Sequence, residues 1–186
     1  TASTDVLEKR KAEKKIKLKY TMSPGRLYRI RTIDYEVDKP EIDSILHENE
    51  SKSLLKVNMP CDASVLDAER DRIVSLLHRK GYYNVLKNFI SYDVDTTKGP
   101  DRIALLLRVE EQRLAKDTAQ IYTRYKIRNV LVDVNLENES SASCDSMDYR
   151  GIRLRYYGKR QFRPNVIYSQ IKFVPGEYYN EDNVQT

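Results

Sequence analysis

The sequence predicts an α+β chain assembled from tandem β-α-α-β-β units, and two observations carry that prediction. One is a phrase that occurs twice: Tyr28-Arg29-Ile30-Arg31-Thr32-Ile33 returns as Tyr125-Lys126-Ile127-Arg128-Asn129-Val130, an offset of 97 residues (125 − 28). The other is a shared fault in alternation. Apolar residues fall at 28 and 30, then at 33, 35 and 37; in the second copy they fall at 125 and 127, then at 130, 132 and 134. A strand presents one face every second residue, so a step of three calls for a bulge or sharp twist. Composition alone does not copy such a fault, and repeats of this kind more often bind than catalyse.

The elements follow in order. Ile16, Leu18, Tyr20 and Met22 alternate with Lys15, Lys17, Lys19 and Thr21, which predicts a strand with one buried and one wet face, stopped by Ser23-Pro24-Gly25. Residues 1–23 are read as the closing strands of a preceding unit. The first complete unit spans 24–113. Its opening strand ends near Asp38, and Pro40 suits the first turn of a short helix carrying Ile42, Ile45 and Leu46. A polar loop leads to Leu54-Leu55 and a turn at Asn58-Met59-Pro60. Ser64 with Asp67 has the form of a capping box for a second helix with Leu66, Ile73, Leu76 and Leu77 on its apolar face. Gly81 ends it, because glycine tolerates the left-handed cap. Ile90, Tyr92 and Val94 mark one closing strand and Ile103, Leu105, Leu107 and Val109 the other, joined through Asp95-Thr96-Thr97-Lys98-Gly99-Pro100.

A second unit, 114–186, opens in the same way after a connection around 114–118 with the composition of a mobile linker. Matching Pro175-Gly176-Glu177-Tyr178 to Met59-Pro60-Cys61 gives an offset of 117 (178 − 61), so about 20 residues are inserted, near 138–160. The insert reads as a loop plus an extra strand or hairpin, and the unit is expected to stop short of its second helix and closing strands.

Composition bounds what this array does. The 186 residues are 33% charged and 40% hydrophobic, and no apolar run approaches the roughly 20 residues of a membrane helix. No secretory signal opens the sequence, so a secreted origin requires one removed or not included. The net charge of +5 is concentrated in a lysine-rich stretch at 9–19 and in Arg150, Arg153, Arg155, Lys159, Arg160 and Arg163, interleaved with Tyr149, Tyr156, Tyr157 and Phe162. Such patches attract polyanions, although a solvated strand face has the same composition. Cys61 and Cys144 fit no metal-ligand spacing. His47 lies in a polar stretch and His78 near the basic end of a helix; no nucleophile sits beside a base, and no glycine-rich phosphate loop is present. No catalytic residue, metal site or cofactor is assigned.

The ordered set of motifs resembles the polypeptide-transport-associated (POTRA) domains of the BamA/TamA outer-membrane protein family. The resemblance rests on Tyr28-Arg29-Ile30-Arg31-Thr32-Ile33, the helix start Leu66-Asp67-Ala68-Glu69-Arg70-Asp71-Arg72-Ile73, its exit Gly81-Tyr82-Tyr83, the strand end Val94-Asp95-Thr96, and Pro175-Gly176-Glu177-Tyr178-Tyr179. The tyrosine- and lysine-rich wording is similar to versions from Bacteroides-type bacteria. The resemblance implies tandem units, each a three-stranded mixed sheet covered on one face by two helices. It places Cys61 where such domains tend to hold a packed aromatic. It also implies a periplasmic location in a Gram-negative bacterium, ahead of a C-terminal β-barrel of the same polypeptide. The implied task is aiding insertion or export of unfolded outer-membrane clients, or binding periplasmic partner proteins.

By the same resemblance, the edge strand is the first of the closing pair: Asn88, Phe89, Ile90, Ser91, Tyr92, Asp93, Val94 and Asp95. An extended client adds to such an edge through backbone hydrogen bonds; the alternative is that Asn88, Ser91 and Asp93 only blunt the edge against aggregation. Arg150, Arg153, Arg155, Tyr156, Tyr157, Lys159, Arg160 and Arg163 form a candidate anionic-surface patch, with lipid headgroups as its expected partner. Nucleic acid is disfavoured, because the fourteen tyrosines are spread along the chain and not gathered on one stacking platform.

Overall fold

The computed structural model describes residues 2–10, 15–23, 25–97, 99–110, 122–135 and 143–184, with residues 2–10 and 15–17 described by backbone alone. The expected linker at 114–118 and the start of the insert therefore lie outside the described residues. Among the described residues three sheets are formed. Strands β1 (Ala2–Arg10) and β2 (Lys15–Met22) make an antiparallel hairpin. The expectation that β2 buries one face is not met: Leu18, Tyr20 and Met22 are exposed, because neither helix nor third strand covers this ribbon among the described residues.

The central sheet has the order β3-β5-β4, from β3 (Arg29–Val37), β4 (Ile90–Asp95) and β5 (Arg102–Val109), with β3 parallel and β4 antiparallel to β5. The fault in alternation is a real bulge. Ile30 pairs with Ile103 and Thr32 with Ala104, leaving Arg31 as the extra residue. This lets Ile30, Ile33, Tyr35 and Val37 share the core face. Over that face lie α1 (Pro40–Glu48), which begins at its proline, and α2 (Ala63–Arg79). The cap of α2 is Asp62, not Ser64. The Asp62 carboxylate accepts from the Ser64 backbone N–H and hydroxyl, both at 2.8 Å, since an N-cap acceptor reaches the orphan amide two residues ahead. Gly81 ends the helix at φ 98°, as expected.

Glu69 organises this core. It is fully buried and takes the Ser53 hydroxyl (2.8 Å), the Leu54 N–H (2.9 Å) and a two-pronged Arg72 guanidinium (2.9 and 2.7 Å). These bonds tie the α1–α2 connection to α2. Burial alone pushes the Glu69 carboxyl up, but the Arg72, Leu54 and Ser53 donors outweigh it and hold it below the usual range.

The C-terminal sheet has the order β6-β8-β7, from β6 (Leu131–Val134), β7 (Cys144–Tyr149) and β8 (Ile152–Tyr157), with β8 parallel to β6 and antiparallel to β7. The part of the insert that is described is thus the hairpin β7–β8. Ile152, Leu154 and Tyr156 form its core with Val130, Val132, Val134 and, from α3 (Pro164–Gln170), Ile167 and Tyr168. Both central and C-terminal strands begin with the same latch. Tyr28 and Ile30 bond Cys61, Met59 and Asn58; Tyr125 and Ile127 bond Tyr179, Glu177 and Gly176 in the same pattern. Asn58 (φ 70°) and Gly176 (φ 93°) occupy the same left-handed position. The offset here is 118 (179 − 61), so Cys61 matches Tyr179 and not Tyr178; the apolar-residue match slipped by one because both tyrosines fit it.

Because the folded Glu69 pKa is depressed, its contribution is full above the ordinary carboxylate value of 4.5 and is lost as pH falls below it. Urea midpoints measured from pH 7 to pH 3 should therefore fall steeply below about pH 4.5. Glu69→Gln should lower stability at pH 7 by about 3 kcal/mol, leaving Arg72 without its partner, and should flatten the acid limb. A second expectation concerns Tyr156, whose buried hydroxyl has no hydrogen-bond partner among the described residues. Tyr156→Phe should raise stability by about 1 kcal/mol in the same assay.

Candidate polypeptide-docking edges

Strand β4 lies at the margin of the central sheet, so its outer backbone row has no strand partner among the described residues. The edge strand is shorter than the expected 88–95 and runs from Ile90 to Asp95. Asn88 and Phe89 belong to a single 3-10 turn (Lys87–Phe89), and Phe89 is buried as a core plug. From Ile90 onward the strand is regular. Ile90 is buried and Tyr92 half-buried, whereas Val94 is 46% exposed beyond the reach of the core clusters. The Tyr92 hydroxyl donates to the Leu66 carbonyl (3.1 Å), and the Arg70 guanidinium lies 5.3 Å from its ring centre. Burial, seconded by the nearby Glu69 carboxylate, pushes the Tyr92 hydroxyl far above its ordinary pKa. Tyr92 is thus a pin holding β4 to α2, and the neutral phenol keeps that bond at all physiological pH.

The outward face of β4 carries Ser91 and Asp93. Asp93 meets Arg108 of β5 at 3.0 Å, and Arg108 also binds Glu36 of β3 at 2.8 Å, a chain of charge across all three strands. Asp95 accepts from the Thr97 N–H (2.8 Å) and hydroxyl (2.6 Å), an Asx turn that ends the strand.

The basic segment is less cationic than its sequence. Arg153 pairs with Asp148, Arg155 with Asp133 and Arg160 with Asp145, so three of its charges are met by carboxylates. Tyr156, in the core of its sheet, and Tyr157 are both buried and offer almost no side-chain surface. Arg150, Lys159 and Arg163 are exposed, with Arg150 lying over the Tyr149 and Tyr168 rings at 5.5 and 5.3 Å.

One constellation is absent from the sequence reading: a joint between the end of α2 and the C-terminal sheet. The Tyr125 N–H donates to the Gly81 carbonyl (2.9 Å), Arg124 Nε to the Lys80 carbonyl (2.8 Å), and the Asn84 amide to the Tyr125 hydroxyl (2.7 Å). Arg124 stacks 3.8 Å from the Tyr178 ring centre, and Tyr83 meets Tyr179 edge-on at 5.0 Å. His78 bonds the Val85 carbonyl (2.8 Å) and approaches Glu181 (3.4 Å), so it belongs to the joint as well as to the end of α2. Tyr178 Cβ stands 3.5 Å from where a Gly81 side chain would begin. The paired tyrosines at 82–83 and 178–179 were the available signal. Among the described residues no cluster of His, Cys, Asp and Glu could hold a metal, and no helix is long and apolar enough to cross a membrane.

Comparison with solved structures identifies the fold. The crystal structure of Haemophilus influenzae BamA POTRA3-5 aligns over 99% of this chain with a TM-score of 0.53 and 15% identity. The chain has the α+β fold of tandem POTRA domains, and it spans 58% of that structure's length. The N-terminal domain of Omp85 from Thermosynechococcus elongatus (11% identity, TM-score 0.30, 87% of this chain and 83% of that one) also matches. So does CdiB from Escherichia coli (10%, 0.21, 76% and 29%). No protein-family profile and no curated protein matches the chain.

The joint predicts a mechanical outcome. In 15N relaxation, residues 25–110 and 143–184 should tumble with one correlation time. Tyr83→Ala should split it into two, while costing the central sheet less than about 1 kcal/mol because Tyr83 is 56% exposed.

Proposed function

We propose that this chain is a periplasmic piece of an outer-membrane protein of the Omp85 type, and that it holds extended polypeptide segments through weak strand addition on β4. Residues 24–113 form one complete unit and 114–186 the next, with 1–23 closing a unit before them. The observation that carries this reading is the edge position of β4, pinned on its inner side by Tyr92 and open on its outer side. Four or five backbone hydrogen bonds at roughly 1 kcal/mol net each are nearly offset by the several kcal/mol lost on association. The grip is therefore weak and sequence-tolerant, which suits passing unfolded clients towards a membrane barrel. The chain acts as a scaffold and not as an enzyme. Arg150, Lys159 and Arg163 supply a secondary contact with anionic headgroups, weakened by the three arginines already paired.

The test is a titration of the labelled chain with extended peptides derived from outer-membrane strands, followed by backbone NMR. Amides at 90–95 should shift first, with a dissociation constant in the high-micromolar to millimolar range. Shifts confined to 150–163 would sink the edge reading and favour a surface-charge role.

A further inference from the structure

The C-terminal sheet shows how a strand is added to this fold. In a strand of L-residues, core-facing residues send their N–H and C=O groups to one edge, and outward-facing residues send theirs to the other. On β3 the outward-facing set serves β5: Arg29 N–H donates to Asp101 and, past the bulge, Asp38 N–H donates to Val109. On β6 the assignment is reversed. The carbonyl of Val130, which packs in the core, accepts from Arg153 N–H of β8 at 2.9 Å. The inserted hairpin β7–β8 therefore occupies the edge opposite to the one β5 takes on β3. It is an addition to the sheet at a new edge and not a substitute for the closing pair.

Transferred by the 97-residue offset, Val130, Val132 and Val134 become Ile33, Tyr35 and Val37. On that edge the latch at 58–61 engages only Tyr28 and Ile30. The outward-directed backbone groups of Ile33, Tyr35 and Val37 have no strand partner among the described residues. We infer that this edge of β3 is a second docking rail, taking a parallel extended segment of a partner polypeptide in which apolar and basic residues alternate.

The pattern of the partner comes from β8 itself. Its residues pair Arg153 with Leu131 and Arg155 with Asp133, which correspond to Asp34 and Glu36 on β3. Arg155 grips Asp133 with two bonds of 2.6 and 2.8 Å. On β3 the outward row beside the open edge is Thr32, Asp34 and Glu36. Asp34 is exposed and takes no ion pair from the described residues, and Glu36 is engaged from the far side by Arg108. A segment with arginine or lysine at those two positions meets two carboxylates where β8 meets one. The orientation also separates this rail from β4, whose neighbour in the sheet is antiparallel. The inference rests on the reading that the chain receives extended polypeptide, but it names a different edge, direction and partner chemistry.

The experiment uses the labelled 186-residue chain and a peptide with the sequence of residues 150–158. The expected result is a set of amide shifts at 33–37 that saturates, with binding at least tenfold weaker when the peptide is N-methylated at the positions of Arg153 and Arg155. Asp34→Lys, at an exposed position that leaves the fold intact, should weaken binding about threefold at low salt and leave it unchanged at high salt. Shifts confined to 90–95 would overturn the β3 rail while supporting the β4 one, and shifts confined to 131–134 would overturn it as exchange with the internal hairpin. Equal binding of a scrambled peptide would overturn the alternating pattern. Shifts at 33–37 on concentrating the chain without peptide would assign the edge to a second copy and overturn the separate partner.

Discussion

The bulge between Ile30 and Thr32 is the constraint on which the remaining architecture depends. Without it, a residue that bonds the turn at 58–61 and a residue that packs under α1 and α2 could not alternate correctly along one strand. Slipping the register by a single residue turns every later side chain to the wrong face. With it, the latch, the core face and the outer edge stay in phase from Tyr28 to Val37. The second copy meets the same demand: Arg128 and Asn129 are both exposed between half-buried Ile127 and Val130. Its latch then repeats bond for bond, down to the left-handed residue that asparagine supplies once and glycine once.

A fixed phase has a second consequence, since it decides which edge of the strand is available. The latch and the core-facing residues share one edge, and the closing strand takes the other. An insert arriving before α3 meets the strand on the latch side, where β8 continues the line begun by residues 174–179. The Arg155–Asp133 pair then crosses the outer face of the C-terminal sheet much as Arg108 crosses the central one between Glu36 and Asp93. These ion pairs are partly open to solvent, so they set register more than they add stability. The stability lies beneath them, in the apolar layer and in the buried Glu69 cluster.

Much of this was legible in the residues. Alternation located β3, β4, β5 and β8, Pro40 and Gly81 bounded the helices, and the repeated irregularity located the bulge. What failed had local causes. The N-cap fell on Asp62, because an aspartate before Ala63-Ser64 competes with the serine for the same amides. The strand β2 alternates well yet covers nothing, since periodicity reports a strand's two faces and not whether a partner exists. The expected edge strand at 88–95 starts two residues too early, as Phe89 is apolar in a turn and in a strand alike. The joint was invisible because it is built from backbone carbonyls at 80 and 81 and from residues about 40 to 100 positions further on, and no local pattern carries such a contact.

A chain with several sheet margins must manage them, because an unpaired strand is a template for aggregation. Here the margins are not treated alike. Strand β7 is short and its outward row holds Asp148, paired to Arg153, near Asp145, paired to Arg160, so side chains that a new strand would displace are already engaged. Strand β4 is also six residues long, is held to α2 by Tyr92, and ends in the Asx turn of Asp95. Strand β3 is nine residues long, and its outward acids beside the open side include Asp34, which draws on no basic neighbour among the described residues. Protection by paired charge is thus strongest where the inserted hairpin creates a new margin and weakest along β3. The margins therefore differ less in length than in the charge that a newly paired strand would meet at each of them.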